Sequence, residues 1–108
     1  MLEKAVKRLS DRASTTINAI RLHADDHVAV LILDVAAGEE IVLSHAEPSP
    51  TRANQSLPYG HKVALRAIQL GAAVIKYGER MGIATAPIAA GDHVHVHNVR
   101  GLLTEERK

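Results

Sequence analysis

Short apolar segments separated by turn residues make up most of this chain, a pattern typical of β-strands. The segment His27–Leu33 is apolar at nearly every position, as in a central strand that is buried on both faces. In the second half, glycines recur between the apolar segments and predict turns or close backbone approaches. The strands predicted by this pattern are Ile17–Leu22, His27–Leu33, Glu40–Ser44, His61–Ala67, Ala73–Tyr77, Gly82–Ala86 and His93–Val99.

The N-terminal residues follow a different period. Apolar side chains recur there at helical spacing, at Leu2, Ala5, Val6 and Leu9. This spacing predicts a short amphipathic helix over residues 1–13, which at about three turns would be marginal in isolation. We therefore expect residues 1–16 to form a helical extension of a mostly β domain that covers residues 17–108.

Two internal segments are less clearly β. Residues 45–56 are rich in Pro, Ser and Asn and contain no periodic apolar positions, which predicts an exposed loop. Residues 62–70 partly fit a helical face, so a helix stays open there as an alternative to a strand.

A weak internal repeat links two distant segments. Residues 35–45 align without gaps on residues 88–98, and each segment has an apolar residue, Ala-Ala-Gly, an acid and then an alternating stretch. In this alignment Val94 and Val96 match apolar positions of the first segment, which predicts that both valines point into the core. The repeat fits a small β fold built from turn-into-strand units.

Histidine and valine alternate from His93 to His97. Successive side chains of a strand point to opposite faces, so the three imidazoles would share one face, and residues two apart would lie roughly 6.5–7 Å apart at Cα. Neutral imidazole is a common metal ligand and a general acid or base near neutral pH. The stretch therefore predicts a metal or substrate site. His95 and His97 are the stronger candidates and Asn98 an orienting residue, while structural, interface or solvated histidines are the alternatives.

Two other groups of polar residues are candidates for binding. Pro58-Tyr59-Gly60 predicts a turn that places His61 and Lys62 at the start of a strand. Lys76 lies in an otherwise apolar strand and would bind a carboxylate if it lined a cleft, whereas a solvated edge lysine is the alternative.

The composition excludes several classes of site. The 108 residues are enough for one domain and include no cysteine, which excludes disulfides, cysteine-based zinc sites and thiol nucleophiles. A net charge of +1, with no Phe or Trp, argues against a nucleic-acid partner. No apolar run approaches the roughly 20 residues of a membrane span, and the N-terminus lacks the apolar region of a signal peptide. We therefore expect a cytoplasmic protein without membrane partners.

Several segments together resemble the SAF domain of the altronate/galactarate dehydratase family. They run in the family's order over roughly residues 20–100. They are Asp26-x-Val-Ala-Val30, Ala36-Ala-Gly38, His61-Lys62-Val-Ala-Leu65, Val74-Ile-Lys-Tyr-Gly-Glu79, Ile83-Ala-Thr85 and Gly91-Asp-His-Val-His-Val-His-Asn98.

The resemblance implies a β-clip fold and a role in β-elimination of water, or of sulfite, from a sugar acid or related 2-hydroxy acid. In that family the module is the N-terminal part of a dehydratase or a separate small subunit, as in sulfolactate sulfo-lyase. A separate large catalytic subunit and a small sugar-acid substrate are therefore implied as partners, and a divalent metal, with iron as the first candidate, as cofactor. By position the resemblance assigns His95 and His97 as catalytic residues and metal ligands. It assigns substrate binding to His61, Lys62, Lys76 and Asn98.

Two other functions remain open at this level. SAF domains also serve as non-catalytic ligand-binding or lid modules, and a histidine-rich chain could bind metal autonomously. A β-rich module with exposed edges could also form a homo-oligomer.

Overall fold

A computed structural model describes residues 16–43 and 51–107 of the chain. Within them the elements in chain order are β1 (Ala19–Ile20), β2 (Val28–Leu31), β3 (Lys62–Ala64), β4 (Ala73–Lys76), β5 (Glu79–Ala84), β6 (His93–Val94), β7 (Val99–Gly101) and a 3-10 turn (Thr104–Glu106). The predicted N-terminal helix, the end of the predicted strand at Ser44 and loop residues 45–50 lie outside the described residues. The mostly β prediction is confirmed. No helix in the described part of the chain has the length and apolar character needed to cross a membrane.

The strands form two antiparallel sheets. One has the order β1-β2-β3-β6 and the other the order β4-β5-β7. In the first sheet Lys62 pairs with Val30 on one side and with Val94 on the other, so β3 is an interior strand and β6 an edge. The helix considered for residues 62–70 is therefore wrong, because β3 occupies Lys62–Ala64 and Ile68 forms an isolated β-bridge with Ile88.

The described chain contains four copies of an eleven-residue pattern, which we call the turn unit. A turn unit has an apolar residue at position 1, an apolar residue at position 5, glycine at position 8 and an apolar residue at position 11. All four glycines adopt positive φ angles of 85–92°, and each occupies the third position of a hydrogen-bonded turn, where an L side chain is disfavoured. The units are residues 31–41, 53–63, 64–74 and 84–94.

The turn units associate in reciprocal pairs. In the first pair, Val35 and Leu57 exchange both backbone hydrogen bonds at 2.8 Å. The amide of Gly38 donates to the carbonyl of Ala53, and the amide of Gly60 donates to that of Leu31. The second pair repeats every one of these bonds. Ile68 and Ile88 exchange both backbone hydrogen bonds, the amide of Gly71 donates to the carbonyl of Ala84, and the amide of Gly91 donates to that of Ala64. The weak repeat seen in the sequence therefore reflects two of four equivalent turns.

Each pair of turn units encloses its own apolar core. Leu31, Leu57 and Val63 are buried in the first core, and Ala64, Ile88 and Val94 are buried in the second. Since neighbouring side chains of a strand point to opposite faces, β3 contributes Val63 to one core and Ala64 to the other.

The exposed loop predicted over residues 45–56 is confirmed in part, since Arg52, Asn54, Gln55 and Ser56 are exposed, but two of its described residues are not. Thr51 and Ala53 are buried, and Arg52 forms a β-bridge with Glu40. This follows from the second turn unit, which begins at Ala53 and needs that side chain in the first core. The strand predicted from Glu40 contributes isolated bridges through Glu40 and Leu43.

Candidate functional site

Four histidines gather at the β6 edge of the first sheet. Val63 pairs with His93 in the ladder between β3 and β6, which brings His61 and His93 to the same end of the two strands. The Nδ1 atom of His61 lies 2.8 Å from the Nε2 atom of His93. The rings of His61 and His95 are centred 5.1 Å apart, and the ring of His97 lies 5.3 Å from that of His93. The second turn unit thus contributes the imidazole of His61. The fourth turn unit and the residues that follow it contribute the other three imidazoles.

The His93–Val99 strand predicted from the alternation is wrong beyond Val94. Strand β6 ends at Val94, and His95–Asn98 forms a hydrogen-bonded turn before β7 begins. Val94 is buried as predicted, but Val96 is 80% exposed rather than in the core. The imidazoles nevertheless converge, because the turn folds His97 back toward His93 instead of extending the row.

The protonation of the cluster is constrained by crowding. Burial lowers the pKa of His93 from its ordinary value, and the neighbouring imidazoles of His61, His97 and His95 lower it further. A neutral His93 suits its short contact with His61, in which one nitrogen donates a proton and the other accepts it. Burial and crowding therefore favour the neutral form of His93, the form in which imidazole binds metal.

The ligand atoms of His61, His93 and His95 all lie within 4.8 Å of one another. Nitrogen ligands of one divalent ion lie roughly 3–3.4 Å apart, so these rings need shifts of about an ångström to share an ion. The metal pair predicted from the sequence was His95 and His97. The geometry brings His95 together with His61 and His93, and it leaves His97 beside this set.

Lys62 lies next to this cluster. It lines a cavity of about 210 Å³ whose other walls include Met81, Val94 and His95. Arg100 lines the same cavity, but its guanidinium is held by both carboxylate oxygens of Glu106 at 2.9 and 3.0 Å. Lys62 therefore supplies the more available cation beside His95.

Lys76 lies away from the four histidines, whereas Asn98 is bonded to their backbone. Lys76 lies at the end of β4 in the second sheet, with Nζ 4.0 Å from the centre of the Tyr77 ring. Within the described residues, no hydrogen bond, ion pair or ring contact links Lys76 to the four histidines. Asn98 is buried, and its amide bonds to the backbone of His93 and His95.

Gln55 is a neighbour of the site that the sequence analysis missed. Its Oε1 atom accepts a hydrogen bond from the backbone amide of His93 at 3.4 Å, and the adjacent Asn54 binds the carboxylate of Asp92 at 2.8 Å. The second turn unit, with Ala53, Leu57 and Gly60 at its repeat positions, is the signal that could have placed this segment against β6.

Comparison with known proteins agrees with the resemblance seen in the sequence. Residues 17–102 match the family described as the altronate/galactarate dehydratase SAF domain. Over 86 residues, 80% of this chain, the sequence is 45% identical to altronate dehydratase of Escherichia coli (strain K12) and 33% identical to altronate dehydratase of Bacillus subtilis (strain 168). The chain spans 17% of the length of each of these two relatives.

A shorter relative is matched over most of its length. The chain is 36% identical over 81 residues to the (2R)-sulfolactate sulfo-lyase subunit alpha of Chromohalobacter salexigens, which covers 71% of this chain and 86% of that subunit. A lyase-associated module is thus common to these relatives. The match over residues 17–102 shows that the chain belongs to the altronate/galactarate dehydratase SAF domain family.

Proposed function

We propose that this chain is the small SAF-domain subunit of a hydro-lyase that eliminates water, or sulfite, from a sugar acid or related 2-hydroxy acid. The observation that carries the proposal is the convergence of His61, His93, His95 and His97 next to Lys62. The near full-length match to a sulfo-lyase subunit alpha supports a subunit role for the chain.

The chemistry of β-elimination suits these side chains. A base takes the proton from the carbon next to the carboxylate, and the released electron pair forms a carbon–carbon double bond. The bond from the next carbon to its hydroxyl breaks, and the hydroxyl leaves as water after it gains a proton. An imidazole near neutral pH can take the first proton or supply the second.

We assign the proton-transfer role to His97 and the anion-binding role to Lys62. His97 is exposed and lies beside the His61, His93 and His95 set, so its ring nitrogens are accessible to a substrate. The ammonium of Lys62 would bind the substrate carboxylate, whose negative charge grows as the α proton leaves. Lys76 lies in the other sheet, so it would reach a substrate only at a different part of the assembled enzyme.

The three nearest imidazoles fit a divalent metal. The ion would be held by His61, His93 and His95, because their nitrogens are close together. The lowered pKa of His93 keeps that ring in the neutral form that binds metal. When bound, such an ion would polarise an oxygen of the substrate as a Lewis acid. An all-imidazole donor set suits iron and zinc among other ions, so it does not select iron.

The proposal also requires a large subunit. The relatives named altronate dehydratase have most of their length outside the region that this chain matches. The histidine cluster lies at an exposed sheet edge, where a second chain could complete a site around it.

The experiment starts from the tagged full-length chain expressed at native level in its source cell. Captured proteins are identified by mass spectrometry, and a recovered large dehydratase-like chain is then assayed with and without this chain on altronate, galactarate and sulfolactate. We expect turnover of at least one acid only when both chains are present.

The assay is repeated with His97→Ala and with His23→Ala, a histidine outside the cluster. We expect the first substitution to reduce turnover at least a hundredfold and the second to leave it unchanged. Full activity without this chain would contradict the catalytic role and favour a non-catalytic binding module instead.

A further inference from the structure

Asn98 makes an unusual number of contacts for a turn residue. Its Oδ1 atom accepts from the backbone amide of His95 at 3.0 Å, and its Nδ2 atom donates to the backbone carbonyl of His93 at 2.8 Å. Its own backbone amide donates to the carbonyl of His95 at 3.0 Å, and its carbonyl accepts from the amide of Thr85 at 2.8 Å. Asn98 thus ties the end of β6, the turn and the end of β5 together.

The geometry of the imidazoles depends on this turn. In an extended strand, residues four apart lie roughly 13 Å apart at Cα. Such a separation would hold two side chains of one face well apart, yet the rings of His93 and His97 are centred only 5.3 Å apart. The rings of His93 and His95, two residues apart, are nearly parallel with centres 5.4 Å apart. The side chain of Asn98, at the end of the turn, bonds back to the backbone of His93 and His95 before it, and so links the two sides of the chain reversal.

The Asn98 amide is poorly available to a ligand. The residue is 7% exposed, and both polar atoms of its side chain are already bonded to backbone groups. An amide used in this way shapes the backbone around the site and does not contact the ligand.

We propose that Asn98 is a positioning residue, which folds the His95–Asn98 turn and thereby holds His95 and His97 against His93. This differs from the substrate-binding role that the family resemblance assigned to Asn98. The inference rests on the proposed function only in that the gathered imidazoles serve the reaction.

The pairing of β3 with β6 supplies an internal reference. The contact between His61 and His93 depends on the strand ladder and not on the turn. Loss of Asn98 should therefore separate His97 from His93 while the contact between His61 and His93 persists.

The test uses the full-length chain with Asn98→Ala, and with Gly71→Ala as the control. Gly71 lies in another turn of the second core, and nothing within 4 Å would meet an added Cβ, so its substitution strains the fold without touching the cluster. NMR measures proton–proton contacts between the imidazoles, and calorimetry measures the binding of Zn²⁺ at a temperature where each variant is folded.

We expect Asn98→Ala to abolish the His93–His97 ring contact and to keep the His61–His93 contact. Because His95 loses the bond to its amide, Zn²⁺ binding should also weaken at least tenfold. Gly71→Ala should preserve both contacts and the affinity. If Asn98→Ala keeps the His93–His97 contact, or if both variants lose affinity equally, the positioning role is overturned.

Two further arms keep the result decisive. If Asn98→Ala does not fold, Asn98→Asp replaces it. A carboxylate keeps the acceptor for the amide of His95 but loses the donor to the carbonyl of His93. The same loss of the His93–His97 ring contact is expected. If the unsubstituted chain binds no Zn²⁺, the metal assignment of the proposed function fails, whereas the ring contacts still decide the role of Asn98.

Discussion

The imidazoles of His61 and His93 are in hydrogen-bonding contact at 2.8 Å, although 32 residues separate them in the sequence. The contact joins an interior strand to the edge strand beside it. It is therefore a sensitive point at which to test both the fold and the site.

Removal of either imidazole should weaken metal binding. We expect His61→Ala and His93→Ala each to reduce the Zn²⁺ affinity of the isolated chain at least tenfold, because each removes one of three converging nitrogens. His97→Ala should have a smaller effect, since His97 lies beside the set. Isothermal titration calorimetry measures the affinities. An undiminished affinity in His61→Ala, together with a large loss in His97→Ala, would mean that the ligands were assigned incorrectly.

The two valines of the histidine stretch should differ sharply in their contribution to stability. Val94 is 1% exposed and Val96 is 80% exposed. Val94→Ala deletes buried methyl groups and leaves a cavity, so we expect a loss of about 2 kcal/mol in the free energy of unfolding. Val96→Ala should change it by less than about 0.5 kcal/mol. Urea denaturation measures both values. Equal losses would mean that both valines are buried, as the extended strand predicted from the alternation requires.

The four turn glycines should not tolerate alanine equally. All have positive φ, which costs an L residue roughly 1–2 kcal/mol. At Gly71 an added Cβ would meet nothing within 4 Å, so this strain is the whole cost of an alanine there. At Gly91 the added Cβ would also clash with the backbone carbonyl oxygen of Arg52, at 2.1 Å. We therefore expect Gly71→Ala to cost about 1–2 kcal/mol and Gly91→Ala to cost at least twice as much or to prevent folding.

Thermal unfolding of the two glycine variants compares them directly. A Gly91→Ala variant as stable as Gly71→Ala would show that Gly91 of the fourth turn unit does not approach the backbone of Arg52 as closely as described.

Acidification should destabilise the metal-free chain. Burial lowers the pKa of both His93 and His27 below the ordinary value of 6.5. The folded chain then binds protons less readily than the unfolded chain, so stability is complete above about pH 6.5 and declines as the pH falls below it. The urea midpoint at pH 5 should be lower than at pH 7.5 in the presence of a chelator.

One substitution tests how much the charge of Arg66 contributes to the lowered pKa of His27. After burial, the charge of Arg66 is the largest cause that lowers the pKa of His27. Arg66→Ala should therefore make the decline in stability with acid shallower. A midpoint that is constant or rises between pH 7.5 and pH 5 would contradict the sign of these shifts.

The sequence predicts the parts of the fold that depend on local pattern. Apolar runs locate β2 and β4, and the repeated Ala-Ala-Gly segments locate two of the four turns. The equivalence of the second and third turn units is harder to detect, because Pro58-Tyr59 and Gln69-Leu70 occupy the positions of the paired alanines. It lies in the spacing of the apolar residues and the glycine, in the glycine φ angle and in the reciprocal hydrogen bonds.

The site is less predictable than the fold. Alternating His and Val favour a strand, but the bonds that Asn98 makes to His93 and His95 reverse the chain instead. The contribution of His61 depends on the register of β3 against β6, which is a long-range property. The sequence supplies the candidate groups, whereas which of them meet depends on tertiary pairing.

The junction between the second and third turn units is a single peptide bond, from Val63 to Ala64. With no spacer at that point, the two cores share one strand and have no hinge between them. A single inserted residue there would turn Ala64, the last residue of β3, away from the second core. The histidine cluster takes His61 from before this junction and its other members from the far end of the second pair. It therefore assembles only when both pairs of turn units have folded in register, so that an intact site reports on the folding of both cores.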